Sequence, residues 1–156
     1  MSRNKIKALA LGTAMMTIPL VGLTAAPADA ASVLQFGRIQ YDAPGTDTSS
    51  NFSINGEYFS IRNTGFRPVN LNRWTVLDAH GNVYRFGNYL LPGNRTVFVR
   101  SGFGVNTSVV RYWGRSYHVW GNSFDRAYLR SPSGFLADSC SWNVSPFVPG
   151  LGYTTC

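Results

Sequence analysis

From residue 33 onward no stretch of the chain repeats its apolar residues at helical spacing. Instead, short runs of aromatic and β-branched residues alternate in and out, and each is closed by Gly, Pro or Asn. Such runs bury one face each, so they must be covered by a second layer of strands. VLQFGRIQY (33–41) reads as a first strand and DAPGTDTSSNFSING (42–56) as a long polar loop. EYFSIRN (57–63) puts Phe59 and Ile61 on one face, and Tyr58, Ser60 and Arg62 on the other. VNLNRWTVLD (69–78) alternates with a one-residue shift near Asn72, turning Val69, Leu71, Trp74 and Val76 inward. AHGN closes a hairpin onto VYRF (83–86), with Tyr84 and Phe86 inward. After the turn LPGN, RTVFVR sets Val97 and Val99 against Thr96, Phe98 and Arg100. RYWGRSYHVWGN (111–122) reads as two edge segments joined at Gly114–Arg115. RAYLR and FLADSCSW form a last hairpin, and the tail from residue 143 is expected to lie across the domain as loop. The whole is an all-β sandwich, 31–142, with a tail at 143–156.

The first thirty residues do not belong to this pattern. Arg3, Lys5 and Lys7 precede an apolar stretch, and TAAPADA supplies small residues at Ala28 and Ala30. These three regions in order predict a signal peptide over 1–30, cleaved between Ala30 and Ala31. The apolar part is shorter than the roughly 20 residues of a membrane span, so no span is expected in the mature chain. An extracellular location follows, and with it oxidation of Cys140 and Cys156 to one disulfide. That bond would tie the chain end to the last strand.

Removing the leader lowers Lys plus Arg from 14 to 11 and Asp plus Glu from 7 to 6, a net charge near +5. All 11 cations are Arg, and they occur singly rather than in a block. A planar fork suits carboxylate and phosphate, but the complete absence of Lys favours the codon bias of a GC-rich coding sequence as the reason for the arginines.

Several stretches in fixed order resemble the lamin tail domain. They are EYFSIRNTGFRPVNLNRWTVLDAHGNVYRF, LPGNRTVFVRSGFGVNT and YWGRSYHVWGNSFDRAYLRSPSGFLADSCSW. The resemblance is carried by Glu57-Tyr58, Asn63-Thr64-Gly65, Leu71, Trp74, Gly81, Tyr84, Phe86, Pro92-Gly93, Trp120, Asn122, Ala127 and Leu129. It extends over about Ser32 to Trp142 and is closest to small secreted lamin-tail proteins of actinobacteria. It implies an immunoglobulin-like sandwich with a binding or scaffolding role and no catalysis. Secreted relatives often carry an acidic turn before the Ala127 strand, whereas this turn has Asp125 alone, which weakens any cation site there.

Other chemistries are read against that background. There is no G-x-S-x-G elbow, and His80 and His118 cannot be placed in a triad by spacing. The six acids, Asp42, Asp47, Glu57, Asp78, Asp125 and Asp138, are scattered, so no facing carboxylate pair is proposed. Asp42 and Asp47, with Asn51 and Asn55 in the same loop, are weak calcium candidates beside an ordinary Asx-turn reading. No metal or other cofactor is assigned.

Trp74 and Trp120 look like core, and Asn122 is expected to satisfy backbone at the turn that follows it. Arg111, Trp113, Arg115, Tyr117 and His118 remain as the candidate binding surface. The expected function is a secreted non-catalytic binding or scaffold module, with an anionic cell-envelope polymer or a protein as partner. A polyanion or nucleic-acid module is the alternative within binding, and a secreted hydrolase is the alternative from another class.

Overall fold

A computed structural model describes residues 33–145 and 151–156. The expected signal peptide at 1–30, its cleavage between Ala30 and Ala31, and positions 146–150 of the tail lie outside the described residues.

The strands are β1 (Leu34–Gln40), β2 (Tyr58–Asn63), β3 (Val69–Asn70), β4 (Thr75–Leu77), β5 (Val83–Arg85), β6 (Leu90–Leu91), β7 (Thr96–Arg100), β8 (Val110–Tyr112), β9 (Phe124–Arg130), β10 (Leu136–Asn143) and β11 (Tyr153–Thr155). A five-stranded sheet runs β11-β1-β2-β7-β8, and a four-stranded sheet runs β10-β9-β4-β5. β3 and β6 form a separate ribbon. All pairings are antiparallel except β7–β8. Among the described residues no helix is long and apolar enough to cross a membrane.

The core is the inward set of both sheets. Phe59, Ile61, Val97 and Val99 come from one, and Val76, Ala127, Leu129 and Trp142 from the other. Phe59 is the hub, with the rings of Phe36, Tyr84, Phe86, Trp113 and Trp120 edge-on around it at 5.7–6.4 Å. This edge-to-face geometry favours aromatic pairs beyond their buried area.

Three local expectations are corrected. The run 69–78 is not one shifted strand: Arg73 adopts φ 67° and hands the chain from the ribbon to the four-stranded sheet. The loop 42–56 holds a short helix, α1 (Asn51–Ile54), because the Ser50 hydroxyl caps it by accepting from the Ser53 amide. The tail is not simply loop, since β11 pairs along β1 as an edge strand. The Gly152 carbonyl accepts from the Tyr41 and Asp42 amides, and Arg38 covers the Tyr153 ring at 3.9 Å. Gly152 has φ 74°, and a Cβ there would collide with the Asp42 carbonyl.

The Cys140–Cys156 disulfide is present, with Cα atoms 5.8 Å apart. It joins β10 to the end of β11, and so one sheet to the other.

Candidate functional site

The structure disperses the candidate set. Arg111 lies on edge strand β8 with its guanidinium 4.2 Å from the Tyr89 ring. Trp113 is half-buried core: its ring meets Phe59, Tyr84 and Trp120, and its Nε1 donates to the Val83 carbonyl at 3.2 Å. Arg115 sits 5.7 Å from both the Trp113 and Tyr117 rings. The Tyr117 hydroxyl donates to Asn82 Oδ1 at 2.9 Å. His118 turns the other way, toward loop 42–56. The five therefore do not share one exposed face.

The expectation of two edge segments is also corrected. Only β8 is a strand, and residues 113–123 are loop. Gly114, with φ 75°, breaks the extended backbone, and the fully buried Glu57 carboxylate holds the loop that follows by accepting from the Val119 amide at 2.8 Å. Asn122 donates to Asp47 Oδ2 at 3.1 Å rather than to turn backbone.

Glu57 and His118 form a latch between this loop and 42–56. His118 Nδ1 is 3.1 Å from Glu57 Oε1, without the alignment of a hydrogen bond. Burial pushes the Glu57 carboxyl up to about 7, against the opposing pull of the Val119 amide and the His118 charge. His118 Nε2 lies 3.1 Å from the Thr48 carbonyl, 3.3 Å from Ser53 Oγ and 3.7 Å from Asp47 Oδ1.

A Ser–His–Glu set thus comes together that the sequence spacing did not reveal. Its members also have other partners. Nε2 faces the Thr48 carbonyl and the Asp47 carboxylate as well as Ser53, and the Ser53 hydroxyl oxygen already accepts from the Thr48 amide at 3.0 Å. Three amides of this turn are taken: Ser53 N by the Ser50 hydroxyl, Ile54 N by the Ser50 carbonyl and Asn55 N by the Asn51 carbonyl.

The acids also group in a way that the linear spacing hid. Asp78, His80 and Asp125 place one ligand-type atom each within 4.8 Å of one another. Every oxygen of the two buried carboxylates already accepts a hydrogen bond. Asp78 takes the His80 and Asn82 amides and the Asn82 side chain. Asp125 takes the Ala79, Gly121 and Arg126 amides. The lone acid before the Ala127 strand is thus a turn anchor. Asp42 and Asp47 are not gathered with Asn51 and Asn55 into an oxygen cage. Both Asn side chains bind the Phe103 backbone instead. The Asp42 carboxyl is pushed up, first by burial and then by the Asp47 charge.

The order of these elements, from buried Glu57 to the Ala127 strand, matches a known family. The sequence model of the Lamin Tail Domain matches residues 27–144. The chain belongs to the lamin tail domain family. Its immunoglobulin-like sandwich is accordingly a binding or scaffold module. A search of curated proteins finds no match. Within this lamin tail domain, Glu57 and Trp120, which carried the sequence resemblance, are now explained as the loop latch and the aromatic core.

Proposed function

We propose that this lamin tail domain is a secreted, non-catalytic module that binds anionic polymers outside the cell, with the anionic cell envelope as its target. The observation that carries the reading is a segregation of charge. Glu57, Asp78 and Asp125 are buried. Asp138 holds the Phe36 amide at 2.7 Å, where β1 is bulged, and the Ser139 amide at 2.8 Å. The acids are thus largely committed to backbone support.

The arginines are not. Among the described residues every ion pair involves a histidine, and none joins an arginine to a carboxylate. Arg38, Arg62, Arg67, Arg73, Arg85, Arg95 and Arg126 are exposed. A net charge near +5 is therefore presented almost wholly as unpaired guanidinium, which attracts polyanions and binds them in a salt-dependent way.

The test is retention of the protein, purified from the medium of a secreting host, on immobilised heparin across a salt series. Retention at low salt and release as salt rises is expected. Passage through the column at every salt concentration overturns the proposal. The non-catalytic part is checked with a fluorophosphonate probe. Ser53 is expected to stay unlabelled, and labelling that Ser53→Ala abolishes would restore the hydrolase.

A further inference from the structure

We infer that the outer face of the five-stranded sheet is a binding site for an acidic polysaccharide, with a carboxylated sugar seated at Arg100. The inference rests on the polyanion reading and assigns it a place and a ligand class. Strand alternation turns Phe59, Ile61, Val97 and Val99 into the core, so their neighbours point outward. The strand register then lines up one transverse row across all five strands: Tyr153, Gln40, Tyr58, Arg100 and Tyr112. At a strand spacing near 4.8 Å the row is about 19 Å long. The strands contribute no carboxylate to this face, while Arg38 and Arg62 flank the row.

Beside the row, loop 42–56 and α1 wall off a groove of about 560 Å³ that reaches Tyr58 and Arg100. Arg100 is the sole charged residue lining it; the other polar linings are neutral, among them Gln40, Thr48, Ser50 and Asn55. Arg100 Nη1 donates to the Asn55 carbonyl, which fixes the guanidinium and leaves further N–H groups for a ligand. At the groove wall Phe52 is 91% exposed, an apolar ring with nothing covering it.

One cation among hydroxyls and amides, next to the open Phe52 ring, matches a unit with one carboxylate, several hydroxyls and an apolar C–H face. A nucleic acid strand stacks successive bases on several open rings, and this groove offers one, Phe52. The occupant is therefore a chain of acidic sugars.

The test is calorimetric titration with hexagalacturonate, and with cellohexaose as its neutral counterpart and oligothymidylate as the competing polyanion. Hexagalacturonate is expected to bind, and cellohexaose to bind about tenfold more weakly or worse. Arg100→Gln is expected to weaken hexagalacturonate about tenfold or more. Phe52→Ala, whose ring makes no core contact, should weaken it severalfold with the fold intact. Arg126→Gln, on the other sheet, should change nothing. Equal losses in Arg100→Gln and Arg126→Gln, or tighter binding of oligothymidylate, overturn the proposal. So does heparin retention without any hexagalacturonate binding, an outcome that leaves the polyanion reading standing. Failure on heparin as well removes both.

Discussion

Residues 111–118 and the outer face of the five-stranded sheet have similar composition: arginines among aromatic rings. In 111–118 those residues are adjacent in the chain, and folding separates them. Trp113 joins the core, His118 joins the latch, Tyr117 bonds Asn82 in the β4–β5 turn, and Arg115 lies against the Trp113 and Tyr117 rings. On the sheet face Tyr153, Gln40, Tyr58, Arg100 and Tyr112 are far apart in the chain, and strand pairing lines them up. Local density of a residue type is thus a poor guide to a surface in a β-sandwich, because a loop hands neighbouring side chains to different partners, whereas strand pairing aligns distant ones.

The contrast is tested first at its largest effect. Trp113→Ala should cost about 3 kcal/mol of stability, read as a fall in the urea midpoint, because it empties part of the aromatic core. A change within about 0.5 kcal/mol would mean that Trp113 is a surface residue after all. Reducing the Cys140–Cys156 bond should cost about 2–3 kcal/mol by freeing the tail in the unfolded chain. It should also weaken binding at the Tyr153 end of the row, which a disulfide with a purely local role would leave alone.

The latch makes a pH prediction. With the Glu57 carboxyl held at about 7 against an ordinary 4.5, the folded chain keeps a proton that the unfolded chain releases between those values. Its stabilising effect is full below about 4.5 and is lost as pH rises to about 7. Urea midpoints at pH 5 and pH 7.5 should therefore differ by about 1–3 kcal/mol more in the wild type than in Glu57→Gln. Equal pH dependence in the two proteins would remove Glu57 as the titrating group. The smallest effect on stability belongs to the sheet face. Arg38→Gln and Arg62→Gln should leave stability within about 0.5 kcal/mol while advancing heparin elution. Earlier elution in Arg111→Gln alone would return the binding surface to the 111–118 stretch.

Much of the fold was legible because periodicity and turn chemistry are local. The inward sets Phe59/Ile61 and Val97/Val99 follow from alternation alone, and both pairs are buried. The tail strand was not legible, because Tyr153–Thr155 has no pattern of its own and pairs with β1 through the Gly152 carbonyl and the disulfide. α1 was hidden in a polar loop, where a single Ser50 cap decides a four-residue helix. Glu57 was seen only as a scattered acid. Nothing in its neighbours shows that a distant amide, Val119, would bury it.

What the sequence determined by itself is the class of fold, the inward residues of the longer strands, the disulfide and the excess of arginine over acid. These follow from short-range spacing, composition and the pairing of two cysteines. What only the tertiary structure decided is where the charges go. The acids turn to backbone amides across the fold, and the arginines are left to solvent. The aromatic and guanidinium row exists only once β11, β1, β2, β7 and β8 lie side by side. The physical reason is that alternation is written within each strand, whereas register between strands depends on partners that can lie more than a hundred residues away.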